Sequence, residues 1–273
     1  MKELKFIGII PARYASTRFP GKPLAKLGGK YVIQRVYEQV SKVLTNVVVA
    51  LDAVSSFGGK WVMTRTDHKC GTDRCLEAYL KNGGEEDVII NIQGDEPFIQ
   101  PSQLEAIMSC FRDEATDIAT LVKPFESTRP YSELENPNSP KVVVDANWNA
   151  KYFSRSVIPY VRNHEKEEWP ACHQFYTHLG MYAYKADVLK RIVLRTRIAE
   201  RNILETDASV PVALLFRFGE FRPIDNGRLR VQHFIDTVCR NAGTRQHNGN
   251  HRQHHKRHDN HHRIIDKCHH IAD

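Results

Sequence analysis

The run Val88-Ile89-Ile90-Asn91-Ile92, followed at once by Gln93-Gly94-Asp95-Glu96-Pro97, narrows the possible folds more than any other segment. A near-continuous stretch of β-branched residues has no polar face to turn to water. It therefore reads as a strand covered on both sides, as in the centre of a parallel sheet flanked by helices. Glycine and proline around the acidic pair end the strand and leave Asp95 at its carboxyl end, where open α/β sheets bind their ligands.

The rest of the chain alternates in the same sense. Lys5–Ile10 is an apolar strand closed by Pro11, and Ala12–Lys22 is a polar loop punctuated by glycine and proline. Val32, Ile33, Val36, Tyr37 and Val40 recur at helical spacing. Strands are expected at Val47–Leu51, Trp61–Thr64, Ile118–Val122 and Leu179–Tyr184, and helices at Arg74–Leu80 and from Pro101 to about Phe111. Lys141–Val144 and Lys151–Phe153 form a hairpin around Ala146–Asn149. The order implies an α/β fold: a mostly parallel, doubly wound sheet between helices, with a small hairpin region. One link breaks the pattern. Only Asp52–Lys60 separates the second strand from the third, whereas a parallel crossover usually needs a dozen residues or more. Either those strands pair in another way, or a helical turn or two has been lost.

No apolar run approaches the 18 residues of a membrane-spanning helix, and the N-terminus lacks a signal-peptide core and cleavage site. The six cysteines have no framework or zinc spacing. A cytoplasmic protein with reduced thiols is expected. Residues 1–190 carry 24 Lys and Arg against 23 Asp and Glu; residues 191–273 carry 15 against 9. The net charge of +7 thus belongs mainly to the C-terminal part.

The loop after the first strand offers Arg13, Arg18 and Lys22, two guanidiniums and an ammonium that suit a triphosphate. Neither Gly-x4-Gly-Lys-Ser/Thr nor Gly-x-Gly-x-x-Gly occurs in it, which argues against a Walker loop and a dinucleotide site. Asp95 is a hard oxygen ligand suited to Mg²⁺ together with phosphate oxygens. Kept apart from any family, Asp95 can equally cap a turn, His178 can be a satisfied structural histidine, and Arg155 can be half of a surface ion pair.

Five ordered segments settle on one resemblance: Pro11–Leu24, Met63–Arg74, Asn91–Pro97, Tyr152–Pro159 and His178–Tyr184. Together they resemble the sugar-acid cytidylyltransferases, and most closely the group that acts on 3-deoxy-manno-octulosonate (Kdo), over about residues 5–190. Cys70 stands where the second segment usually has serine. The resemblance implies a nucleotidyltransferase that moves CMP from CTP onto the anomeric hydroxyl of Kdo, releasing pyrophosphate for lipopolysaccharide synthesis, with Mg²⁺ as cofactor. It implies Lys22 and Asp95 as catalytic groups. Arg13, Lys22, Gln93 and Asp95 fall to the nucleotide. Arg18, Arg65, Asp73, Arg155, His178 and Tyr182 fall to the sugar acid, with Arg18 also in reach of the triphosphate. Asp73 is also a candidate helix cap. Relatives of this kind are homodimers, and the small hairpin region is expected to serve dimerisation. A cytidylyltransferase for another sugar acid and a non-enzymatic nucleotide-binding protein are the alternatives.

Three segments follow from this reading: a cytidylyltransferase domain over 1–190, an atypical C-terminal part over 191–240, and a His- and Arg-rich low-complexity tail over 241–273 that cannot bury a core. The family's closing Ile-Asp-Thr-Pro-Glu-Asp-Leu motif, source of a second metal aspartate, survives only as Ile235-Asp236-Thr237, which makes Asp236 the candidate. Arginine displaces lysine and histidines crowd in just where the family pattern stops. Translation out of frame after about residue 190 would explain both, and the gene's other reading frames test it. The tail lacks the interleaved aromatics of a nucleic-acid site, so neither a specific nucleic acid nor membrane insertion is expected.

Overall fold

A computed structural model describes residues 3–12, 22–51, 59–68, 70–194 and 228–233. In chain order come β1 (Phe6–Ala12), a 3-10 turn (Lys22–Leu24), β2 (Lys26–Leu27), β3 (Lys30–Tyr31), α1 (Val32–Val40), β4 (Val47–Leu51) and β5 (Trp61–Met63). Then follow α2 (Gly71–Lys81), β6 (Val88–Asn91), α3 (Pro101–Ser109), β7 (Thr116–Pro124), α4 (Tyr131–Leu134), β8 (Lys141–Val144) and β9 (Ala150–Ser154). Last are α5 (Trp169–Cys172), β10 (Tyr176–Lys185) and β11 (Arg228–His233), with residues 186–194 helical after β10.

Side-chain alternation assigns the strand residues to two cores. Ile10, Val47, Val49, Val88, Ile90 and Ile92 face the layer of α1 and α3, where Ile33, Val36, Val40, Leu104 and Ile107 meet them. Ile7, Ile9, Val48, Ala50 and Ile89 face the opposite layer, built from Cys75, Leu76 and Tyr79 of α2 and from Val188, Leu189, Ile192 and Val193. The β6 run is buried at each of its four residues, as its composition requires. The expected mostly parallel α/β sheet between helices is therefore present.

The main sheet runs in the order β11-β7-β10-β6-β1-β4-β5. β1 pairs in parallel with β4 and β6, and β11 in parallel with β7. β10 lies antiparallel between β6 and β7, so these two strands point the same way without touching. A doubly wound order without such an insertion does not hold. β4 and β5 are parallel neighbours, Val49 opposite Trp61 and Leu51 opposite Met63, despite the short link between them. Of that link, 52–58 lie outside the described residues.

The expected hairpin is β8 with β9, Lys141 facing Ser154. Its turn is tied by Asp145, which accepts the backbone N–H groups of Asn147 and Asn149. The hydrogen bond from Lys151, with those amides, holds the Asp145 carboxyl below the usual carboxylate range. Trp169 is buried with Phe125, Leu134 and Phe175. β11 falls within the 191–240 segment, while the tail at 241–273 lies outside the described residues. Among the described residues no helix is long and apolar enough to cross a membrane.

Candidate active site

Parallel strands deliver their carboxyl ends to one edge, and here the ends of β1 and β6 meet. The Ile92 amide donates to the Ile9 carbonyl at 2.9 Å, and the next three residues turn across the end of β1. A Cβ placed on Gly94 would stand 2.9 Å from the Pro11 carbonyl oxygen and 3.2 Å from Ile33. Only glycine allows the Gln93-Gly94-Asp95 turn to lie this close to the β1 backbone. Asp95 thus sits exposed at the strand ends, and the chain leaves β1 at Ala12, one residue before Arg13. Gly71, first residue of α2, is near the same place: a Cβ there would lie 3.7 Å from Pro11 and 3.9 Å from the Asn91 amide. The positive end of α2 therefore also faces this edge.

Gln93 reaches sideways. Its Nε2 donates to the Gly180 carbonyl at 3.0 Å, and a Cβ on Gly180 would come within 3.3 Å of that nitrogen. Gly180 lies where the β7–β10 register shifts, between Leu179 and Tyr182. The side chain bridges the β6 turn to β10, which carries His178 and Tyr182.

His178 is buried, and desolvation lowers its pKa from 6.5 to about 4, so the ring is neutral near pH 7. Its Nε2 lies 2.8 Å from the Thr120 hydroxyl, whose oxygen is also 2.7 Å from the Met181 carbonyl. A carbonyl can only accept, so the hydroxyl proton goes to Met181 and Thr120 accepts the proton of Nε2. This network assigns the tautomer and leaves Nδ1 the acceptor atom of the ring. The ring packs edge-on to Phe153 at 5.1 Å and tilted against Tyr182 at 5.1 Å. Tyr182 stacks on Tyr184 at 6.0 Å, and burial raises its phenol pKa above the ordinary value.

Arg155 is exposed just past β9. Its Nη1 donates to the Pro137 carbonyl at 2.6 Å. Ser154, Lys141 and Thr177 stand opposite one another across β9, β8 and β10. Arg155 therefore leaves the sheet about 10 Å, two strand spacings, from the His178 strand. Beside it an open cleft of about 420 Å³ is lined by Lys123, Phe125, Arg129, Asn136, Pro137 and Thr177, among others.

Arg65 and Asp73 come out differently. The Arg65 guanidinium forks onto the Asp67 carboxylate on the exposed loop before α2, and its amide donates to Glu77 at 3.1 Å. α2 begins at Gly71 with Cys70 in the N-cap position, so Asp73 lies inside the first turn rather than capping it. An acidic residue there complements the helix dipole. Cys70 and Cys75 are both free thiols. The expectations for Arg13 and Arg18, for the Lys22 side chain and for Asp236 lie outside the described residues.

Among the described residues no group of three His, Cys, Asp or Glu side chains converges on a point. One exposed carboxylate at a strand end fits an ion such as Mg²⁺, which takes most of its ligands from phosphate and water, and does not fit a metal caged by protein. Sequence reasoning passed over Thr120, which looks like any strand threonine, and Lys141, which looks like the polar start of an exposed strand.

A family model described as Cytidylyltransferase matches residues 7–213. The 3-deoxy-manno-octulosonate cytidylyltransferase of Bacteroides thetaiotaomicron is 64% identical over 195 residues, 69% of this chain and 78% of that protein. Its namesake in Phocaeicola vulgatus is 66% identical over 195 residues, 69% of this chain and 77% of that protein. Among solved structures, a CMP:2-keto-3-deoxy-manno-octonic acid synthetase complexed with CTP superposes with a TM-score of 0.65 at 36% identity, covering 84% of this chain and 90% of that one.

Proposed function

The chain belongs to the cytidylyltransferase family, and from that premise we propose that it transfers CMP from CTP to the anomeric hydroxyl of Kdo, with release of pyrophosphate. The observation that carries the reading is the approach of Gly94 to Pro11. It sets Asp95 beside Ala12, the residue at which β1 ends and after which the sequence of the basic loop begins.

In this reaction the sugar hydroxyl attacks the α-phosphorus of the nucleotide and the two outer phosphates depart. The work left to the protein is alignment and charge compensation. Arg13 and Lys22 are assigned to neutralising the triphosphate, and Arg18 to the sugar acid or the triphosphate. Gln93, held by Gly180, keeps the β6 turn in register with β10. On the acceptor side Arg155 meets the Kdo carboxylate. His178, neutral and fixed by Thr120, orients a sugar hydroxyl without adding charge, and the Tyr182 phenol stays protonated as a donor. Asp95 would hold Mg²⁺, with Asp236 as its expected second carboxylate. That ion, when bound, offsets charge on the phosphate oxygens.

The CMP-Kdo formed would supply lipopolysaccharide assembly, with the enzyme acting in the cytoplasm as a homodimer joined near the β8–β9 hairpin. The test is pyrophosphate release from CTP, Mg²⁺ and Kdo by the full-length chain, beside a panel of other sugar acids. Release with Kdo above all others is expected. A different preferred acid would reassign the substrate, and no release with any of them would overturn the proposal.

A further inference from the structure

Lys141 is wholly buried, yet no carboxylate lies within ion-pair distance of its ammonium among the described residues. Its Nζ instead donates to three backbone carbonyls: Asn136 at 2.9 Å, Ser139 at 3.0 Å and Arg155 at 3.2 Å. These oxygens come from two separate segments, the 136–139 loop and the turn after β9. An ammonium has three N–H donors, and here each has an acceptor. Burial lowers the pKa of the group, and nearby Glu135 pulls the other way.

The position in the sheet gives the cage its meaning. Lys141 stands on β8 between Thr177 of β10 and Ser154 of β9. The preceding residue, Pro140, accepts the backbone N–H of His178 at 2.8 Å. Two consecutive residues thus hold two of the candidate sugar-acid groups, His178 through its amide and Arg155 through its carbonyl. Pro137, which accepts the Arg155 guanidinium, lies within the same caged loop. Removing the ammonium would leave three converging carbonyls that repel one another, although the Asn136 oxygen would keep the Ser139 amide at 3.1 Å.

We propose that Lys141 is a positioning residue for the acceptor half of the site: its ammonium, caged by three carbonyls, fixes Arg155 relative to His178 and so governs binding of the sugar acid. This rests on the functional reading above. Lys141 touches no reacting atom. Its loss should weaken acceptor binding and leave nucleotide binding as it was.

The experiment is steady-state pyrophosphate release by full-length wild type, Lys141→Met, Lys141→Arg, Arg155→Ala and the Lys141→Met/Arg155→Ala double variant, varying Kdo and CTP separately, with a thermal melt of each chain. The KM for Kdo should rise at least tenfold in Lys141→Met, with the KM for CTP within twofold of wild type. Lys141→Arg, which keeps a cation with several donors, should recover part of the loss. The double variant should be no worse than Arg155→Ala alone. An unchanged KM for Kdo, a matching rise in the KM for CTP, or additive effects in the double variant would overturn the proposal. Should Lys141→Met fail to fold, Lys141→Arg decides by the same split, and failure of both to fold would assign Lys141 a purely structural role. A wild type that releases no pyrophosphate would instead sink the functional reading and this inference with it.

Discussion

The Nε2 of His178 donates to the Oγ1 of Thr120 at 2.8 Å, and that hydroxyl passes its own proton to the Met181 carbonyl. A buried threonine, chemically unremarkable in a strand, therefore decides which face of the imidazole can accept. Thr120→Val keeps the shape and removes both bonds. About 1–3 kcal/mol of stability should be lost in urea unfolding, because two buried polar groups lose their partner. The KM for Kdo should rise together with that loss, and Thr120→Ser should restore most of both.

The same ring makes stability depend on pH. Burial lowers the His178 pKa from 6.5 to about 4. The unfolded chain then binds a proton that the folded chain does not, so stability falls as pH drops from about 6.5 towards 4. The contribution is at most about 3 kcal/mol. Denaturation at pH 7.5, 5.5 and 4.5 should give a shallower decline for His178→Gln than for wild type. Equal slopes would remove His178 as the cause.

Gly94 tests the close approach of the two strand ends. A Cβ would meet the Pro11 carbonyl oxygen at 2.9 Å, a backbone atom that cannot rotate away. Gly94→Ala should cost about 1–3 kcal/mol as the turn is pushed off β1. The kcat/KM for CTP should fall at least tenfold. A variant with normal CTP kinetics would show that the turn tolerates the shift.

Asp95 is exposed, so replacing its charge should spare the fold. Asp95→Asn should melt within a degree or two of wild type while kcat falls by about 100-fold or more. The Mg²⁺ concentration needed for half-maximal activity should rise as well. Full activity in this variant would exclude Asp95 from the chemistry.

Much of this arrangement is legible in the residues themselves. The continuous apolar runs of β1, β4 and β6 and the helical spacing of Val32, Ile33, Val36 and Val40 give the layers, because burial alone sets those patterns. The Gly-Asp turn after Val88–Ile92 gives Asp95 its address. Strand direction leaves no such mark, since an antiparallel strand buried on both faces has the same composition as a parallel one. That is why the placement of β10 between β6 and β7 is absent from the sequence reading. The parallel β4–β5 pair was likewise hidden by a link that looked too short. Thr120 and Lys141 escaped because their roles depend on atoms brought from far along the chain: Nε2 of residue 178 for one, carbonyls of residues 136, 139 and 155 for the other. Arg65, a motif arginine, pairs with Asp67 only two residues along the chain.

The antiparallel β10 is clasped along both edges, by β6 on one side and β7 on the other. A slip of a single residue would break two ladders at once and turn His178 and Tyr182 to the other face of the sheet. Retuning the enzyme for a different acceptor must therefore proceed by exchanging side chains on a stationary rail, and changes in loop length elsewhere should leave the spacing between the two substrates untouched.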